Sequence, residues 1–501
     1  MIIKKSKIVL SAVLAAVIAA SCTRVTASAR TLVLLGDYDA DGIVTSNDAL
    51  EVLRCSADNP DNLSTTVFSR SDVDKDNDIT SNDAVLILRD SVGLEELPNP
   101  GGSESAYSVS DGISDFSAGL FKRTYKQGEN TLVSPLSVYT ALSMLNNGAK
   151  GLTGEEMLSV LGSDNALSTA EINSYLHDYM TNVNAGDTMK ISNSMFVMQR
   201  PDVVIDEGFS ETIRRDYFAE IFNEPANDDT VNMINLWCKD KTDGMIDEIL
   251  KPGMLTPDVV NLLLNAVSFD AEWSRPYEKW NVSNHTFTNY NGSTISTPFL
   301  FGEENSYLSD ENCVGFTKHY KSKAHDENNE WIVDEDYCFL AILPNEDVGV
   351  DGYIEQMNDS TLSQLIHSRN YSHIKTAIPK FSYECEYLLN NPLCDMGMPT
   401  AFTDGADLTG MARSENGSVF VDKVMHKTFI QLNEAGTKAA AVTAIMDVDS
   451  AEPITVTQVY LDRPFIYAIY DLKNDVPVFI GTVCDMSSVE IPEAEITSEY
   501  Y

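Results

Sequence analysis

Basic residues are scarce in this chain of 501 residues: 34 Lys and Arg stand against 76 Asp and Glu, a formal net charge of −42. A polyanion of this kind repels nucleic acid and anionic lipid, so neither is an expected partner. Zinc catalysis lacks its ligands, because no HExxH stretch occurs and the seven histidines are dispersed. No GxSxG turn is present to expose a serine nucleophile. The eight cysteines, at positions 22, 55, 238, 313, 338, 385, 394 and 484, form no CxxC pair and suggest no disulfide framework. They read mainly as buried apolar thiols. Beyond a short N-terminal run, no apolar segment is long enough to span a bilayer.

The chain is 43% hydrophobic, enough for one or two substantial cores. Its N-terminus places Lys4, Lys5 and Lys7 before an apolar run from Ile8 to Ala20, and Ala27-Ser28-Ala29 supplies small residues for cleavage. Residues 1–29 therefore read as an export signal, and the protein as secreted. The alternative is lipid attachment at Cys22, although Ala19 departs from the bulky aliphatic usual there.

Two segments repeat one another: DYDADGIVTSNDALEVLR from Asp37 and DVDKDNDITSNDAVLILR from Asp72. Each carries Asp at loop positions one, three, five and twelve: Asp37, Asp39, Asp41 and Asp48, then Asp72, Asp74, Asp76 and Asp83. Hard oxygens alternating along a tight turn suit Ca²⁺, with Ile43 and Asp78 each adding a backbone carbonyl. Calcium is thus the expected cofactor. Gly42 supplies the sharp turn of the first loop, and Asn77 replaces it in the second. An apolar helix follows each loop, through Ala49, Leu50, Val52 and Leu53, and through Ala84, Val85, Leu86 and Leu88.

Loop-then-helix twice, with Asp at position twelve, resembles the dockerin module, which plugs secreted proteins into cohesin domains of a scaffold protein. The resemblance implies that Ser46, Asn47 and Arg54, and their counterparts Ser81, Asn82 and Arg89, read the cohesin, and that either helix can dock. Residues 30–96 are the expected dockerin. LPNPGGSES, residues 97–105, reads as a linker. Residues 106–488 form one larger domain, before an acidic tail, 489–501.

In that domain SVYTALSMLNNGAKG has helix-period apolar residues (Val138, Ala141, Leu142, Leu145) ending at glycines. VVNLLLNAVSF, YCFLAILP and PVFIGTV are short apolar runs of buried-strand type. Helices early and strands late predict an α+β fold. The stretch NEAGTKAAAVTAIMDVDSAEP, from Asn433, is too poor in bulk for a core strand and too apolar for an ordinary loop.

Six stretches in order resemble the serpin family: NTLVSPLSVYTALSMLNNGAKGLTGEEM, INLWCKDKTDGMIDEIL, LLLNAVSFDAEWSRPYE, IPKFSYECEYLLNNPLCDMGMPTAFTDGADLTGM, VDKVMHKTFIQLNEAGTKAAAVTA and DRPFIYAIYDLKNDVPVFIGTV. The resemblance implies helices around three sheets and a mobile reactive loop. It implies a shutter at Ser134, Ser137, Asn265 and His426, where the central sheet opens, with His426 holding two strands together. It implies a breach at Trp273, at the top of that sheet. Glu434, Gly436 and Thr437 begin the hinge, which continues through Ala439, Ala440, Ala441 and Thr443. The uncut segment is an exposed loop. Once a protease cuts it, its N-terminal arm enters the sheet as a new strand. Strand side chains alternate, so Thr437, Ala439, Ala441 and Thr443 face inward, all small. The family's usual spacing puts the reactive bond at Ser450–Ala451, within a window of 446–453. Asp447 and Asp449 continue the inward parity, where unpaired carboxylates are costly. Either they emerge at the sheet's lower end, or insertion stops near Ile445.

The expected function is inhibition of serine endopeptidases through a covalent acyl complex, with the dockerin anchoring the inhibitor to a cohesin scaffold of cellulosome type. The covalent chemistry belongs to the target's nucleophile, so the chain is not an enzyme. The alternatives are a non-inhibitory serpin acting as a binding component and a dockerin-borne carbohydrate-active enzyme.

Overall fold

The structure is a computed structural model. It describes residues 108–492, apart from 163–165, 187, 257–258, 260, 322–323, 326–330, 333–335, 416–418 and 438–456. Before them it describes residues 38, 46–58, 71, 73, 79 and 81–91. The chain divides into two compact units, 1–106 and 107–501.

The first unit holds helices α1 (Ser46–Asp58) and α2 (Ser81–Ser91). Ala49 and Val52 of α1, and Ala84 and Ile87 of α2, stand three residues apart on one face and are buried together with Val73 and Ile79. Leu86 is half-buried against this cluster, whereas Leu50, Leu53 and Leu88 are each 45% exposed and Val85 50%.

In the second unit, helix α3 (Val109–Thr124) starts at a capping box, with Ser108 and Asp111 exchanging hydrogen bonds. Helix α4 (Pro135–Asn146) starts at Ser134, with Pro135 in its first turn. It runs into Gly148, where a Cβ would lie 2.4 Å from that of Met411, so the chain must be bare there. Helix α5 is Asp228–Lys241.

The strands that frame the site are β1 (Met189–Met198), β2 (Glu220–Glu224), β3 (Asn261–Phe269), β4 (Ala271–Glu272), β5 (Thr294–Ser309), β6 (Cys313–His319), β7 (Phe381–Leu388), β8 (Met425–Leu432), β9 (Gly436–Thr437) and β10 (Thr457–Tyr460). One sheet has the order β2-β1-β3 and another β7-β8-β9-β4. The largest sheet, of nine strands, contains β5, β6 and β10. Two of its strands, Tyr337–Pro344 and Val476–Val483, are buried at every residue, which is why each reads as an unbroken apolar run. The α+β expectation holds for this unit: helices dominate up to Lys241 and strands after it.

Candidate functional site: a hinge above an open lane

Asp270 alone separates β3 from β4, so the two form one wall. β8 forms the facing wall. Between them, at the top only, lies β9. Gly436 pairs with Glu272, Thr437 with Ala271, and Thr437 also with Leu432 across the turn from β8. Gly436 is obligatory here, because a Cβ would sit 2.0 Å from the Ala271 carbonyl oxygen. Asn433 makes the turn by accepting the amides of Ala435 and Gly436 on its side-chain oxygen, at 2.9 and 3.2 Å.

The expectation of an exposed loop from its first residue is therefore corrected at Thr437. Its residue is 4% exposed, and its Oγ1 lies 2.6 Å from the Tyr320 hydroxyl. The turn at Asn433 and the bare Cα of Gly436 let the backbone enter the sheet, and Tyr320 satisfies the hydroxyl. Glu434 forms an ion pair with Lys380 at 2.6 Å, with side chains 14% and 6% exposed.

Trp273 is fully buried and stacks on Tyr320, with ring centres 4.5 Å apart. Its amide donates to the Ala435 carbonyl at 2.8 Å, and its indole N–H to that of Asn433 at 3.0 Å. The Tyr277 amide donates to the Glu434 carbonyl at 2.9 Å. Three consecutive hinge carbonyls are thus held by two aromatic residues.

Below Thr437 no ladder joins β3 to β8 among the described residues. A cavity of about 50 Å³ lies there, lined by Ser134, Ser137, Cys238 of α5, Asn265 and His426. The four shutter residues are brought together as the resemblance implies, with one correction: the His426 hydrogen bond does not tie two strands. Its Nε2 accepts from the Ser134 amide at 3.0 Å, tying β8 to the start of α4, because that free helix N-terminal N–H is the donor within reach. Burial lowers the His426 pKa to about 4, so the ring is neutral and able to accept. Ser134 Oγ donates to the Val478 carbonyl at 2.8 Å and accepts from the Ser137 amide at 3.4 Å. Asn265 donates to Asn193 at 2.7 Å, and its Oδ1, at the cavity wall, has no partner among the described residues.

Ala439, Ala440, Ala441, Thr443, Ser450 and Ala451 lie outside the described residues. So do Asp37, Asp39, Asp41, Ile43, Asp72, Asp74, Asp76 and Asp78 of the repeated loops, and the side chains of Ser46, Asn47, Asn82 and Arg89. Ser81 and Arg54 are exposed, and Arg54 pairs with Glu51 at 2.6 Å. The position-twelve carboxylates are placed alike. Asp48 accepts the Tyr38 amide and Asp83 the Val73 amide, both at 2.9 Å, and both aspartates are essentially buried. Buried carboxylates at the start of a helix, each folded back on the loop's second residue, fit an oxygen-only cation site.

Sequence reasoning missed Tyr320, Lys318, Glu304 and Asn193, whose contacts with the hinge and the shutter arise only from sheet pairing. Lys380 had a signal, being the lysine of IPKF. Of the thiols, Cys238, Cys313, Cys338 and Cys484 are buried and Cys385 and Cys394 half-buried, and among the described residues none is in a disulfide.

Among the described residues, then, β3 and β8 run unpaired below a glycine-bearing hinge that joins β4 to β8 at the top. A family model described as "Serpin (serine protease inhibitor)" matches residues 111–486, and the chain belongs to the serpin family. Among its relatives, human neuroserpin is 26% identical over 387 residues, covering 74% of this chain and 90% of neuroserpin. Mouse alpha-1-antitrypsin 1-4 is 27% identical, covering 76% and 90%. The native structure of tengpin, a thermophilic serpin, is 37% identical with a TM-score of 0.69, covering 75% of this chain and 94% of tengpin. Thyroxine-binding globulin, solved in complex with thyroxine, shares the fold, with a TM-score of 0.64 at 23% identity and coverage of 75% and 98%. Family membership displaces the carbohydrate-enzyme alternative. Among the described residues no helix is long and apolar enough to cross a membrane.

Proposed function

We propose that this serpin is an inhibitor of serine endopeptidases that traps its target by inserting its cut reactive loop into the lane between β3 and β8. The observation that carries the reading is the position of β9. The hinge already stands in register with both walls, and among the described residues no strand pairs with either wall below it on that side. Stepping down from Thr437, the β4–β3 register brings Thr443 opposite Asn265, and the β8 register brings it opposite His426. Two independent counts thus set one small polar side chain at the cavity both residues line. Ala439 falls between Phe269 and Ile430, both buried, where a larger side chain would clash. Asp447 falls opposite Asn261, the first residue of β3, and beyond Met425, the first of β8. Asp447 and Asp449 therefore emerge at the lower end, and their charge stays hydrated.

The reactive bond is taken as Ser450–Ala451. The target's serine hydroxyl would attack the Ser450 carbonyl, its proton passing through the target's own base to the departing Ala451 amine as the peptide bond breaks, which leaves Ser450 as an ester on the target; the chain supplies binding, strand geometry and speed. Incubation with subtilisin-like and elastase-like proteases should give a complex that survives boiling in detergent. Cleavage without complex would sink the reading.

We further propose that the first unit is a dockerin that secures the secreted inhibitor to a cohesin scaffold. Asp48 and Asp83 would close two calcium shells begun by the aspartates of each loop. The bound ion would supply charge neutralisation. Exposed Leu50 and Leu53 of α1, the helix of Ser46, Asn47 and Arg54, and exposed Val85 and Leu88 of α2, the helix of Ser81, Asn82 and Arg89, would offer two equivalent docking faces.

A further inference from the structure

A lysine is buried beneath the hinge. Lys318 on β6 shares its strand face with Phe316 and Tyr320, both in the core, and its side chain is 4% exposed. Its Nζ lies 2.8 Å from Glu304 Oε1 on β5, 4.4 Å from the centre of the Tyr277 ring and 5.4 Å from that of Trp273. An ammonium has three donors and no acceptor, and here one meets a carboxylate while two aromatic faces surround the rest. As stabilisation this is a poor arrangement, since desolvation of a buried pair consumes most of its attraction. As geometry it is restrictive. The two rings Lys318 faces belong to the residues whose N–H groups hold the carbonyls of Asn433, Glu434 and Ala435.

We infer that Lys318, paired with Glu304, is a positioning residue for the reactive-loop hinge: it fixes Trp273 and Tyr277, and through them the start of the inserting strand. The ion pair Lys380–Glu434 grips the hinge directly, from β7's side; Lys318–Glu304 fixes the surface against which it docks. Loosening that surface frees the hinge without unfolding the sheets. The consequence for protease trapping rests on the inhibitory reading above.

Hydrogen exchange on the full chain tests the inference without a protease. In Lys318→Met/Glu304→Gln, which leaves no orphaned charge, the Trp273 and Tyr277 amides and the 433–437 segment should exchange about tenfold faster, while Tyr337–Pro344 exchanges as before. Lys318→Arg keeps the charge over the rings and should protect the hinge like the parent. Hinge exchange unchanged in the double variant, or lost equally in every strand, overturns the proposal. Should the double variant not fold, Glu304→Gln alone must show partial, hinge-confined loosening, and its absence overturns the proposal equally. Complex formation is scored separately. A parent protein that forms no complexes refutes the inhibitory reading and leaves the exchange result standing. If the parent does inhibit, the double variant should give more cleaved, uncomplexed protein.

Discussion

Thr437 Oγ1 and Tyr320 Oη lie 2.6 Å apart inside the protein, although Thr437 begins the loop that a protease must reach. The hinge is thus anchored in the sheet at Thr437. Thr437→Arg would force a guanidinium into that contact, at a cost of several kcal/mol, roughly that of an unpaired buried charge. The arginine should expel the hinge before any cut, and insertion should then lose the race with hydrolysis. The expected outcome is cleavage at the same bond with about tenfold less boiling-stable complex. Lys438→Glu, one residue further on and outward by strand alternation once inserted, should leave the yield unchanged.

Gly436 gives a sharper test of pre-insertion, because a methyl group has no charge to confuse the result. Gly436→Ala places a Cβ against the Ala271 carbonyl oxygen and should push β9 out of the sheet. Trp273 would then lose the Ala435 carbonyl and Tyr277 the Glu434 carbonyl, which red-shifted tryptophan emission and faster exchange of both amides would report. An unshifted spectrum would mean that β9 tolerates the extra atom and is held less closely than the ladder implies.

His426 makes a pH prediction whose sign follows from its depressed pKa. In the unfolded chain the ring titrates near 6.5, but in the folded protein only near 4. Between those values the unfolded state binds the extra proton. The stability from neutral His426 is therefore complete above pH 6.5 and is lost as pH falls toward 4, roughly 3 kcal/mol in all. His426→Gln retains an acceptor for the Ser134 amide and cannot titrate. Denaturant melts at pH 7 and near pH 4.5 should show the parent losing markedly more stability than the variant. Parallel losses would assign acid sensitivity to other groups.

For the first unit, a calcium chelator should abolish cohesin capture and leave protease trapping intact. Four carboxylates packed into each loop repel one another without the ion. Asp48→Ala should weaken one docking face and Asp83→Ala the other, and only the double variant should lose capture entirely. Capture that persists in excess chelator would overturn the calcium reading.

How much of this was legible in the sequence varied with the range of the interaction. The buried strands Tyr337–Pro344 and Val476–Val483 announce themselves as apolar runs, and the start of α4 by Ser134-Pro135, because those signals are local. The shutter residues were reached through motif order, since Asn265 and His426 are far apart in the chain and meet only across the sheet. The hinge was recognisable by composition, but its pre-insertion was not. That depends on Tyr320, which nothing local marks as the partner of Thr437. Lys318 reads in HYKSK's neighbourhood as one more surface lysine, and only the pairing of β5 with β6 buries it. The outward turn of Leu50, Leu53, Val85 and Leu88 was likewise hidden, because amphipathic period alone does not say which apolar stripe is covered.

Thr443 carries the last prediction, because two strand registers converge on it. In the cut form its hydroxyl should enter the cavity between β3 and β8 and donate to Asn265 Oδ1, the acceptor left without a partner before insertion. Thr443→Val keeps shape and volume but removes the donor, so trapping should persist while the cleaved form loses about 1 kcal/mol of its gain in stability. Asn265→Leu also costs the bond to Asn193, in cut and uncut protein alike, so in the gain on cutting it should remove the same increment, and the two together no more than either alone. Because the proposed insertion follows the cut, the uncut protein should be indifferent to Thr443→Val. Denaturant midpoints of cut and uncut protein, for the parent, both single variants and the double, measure all four corners. Additive losses would show that Thr443 and Asn265 do not meet. A larger effect from Ala441→Val than from Thr443→Lys would show the strand entering in another register, and with it the account of where Asp447 emerges would fall.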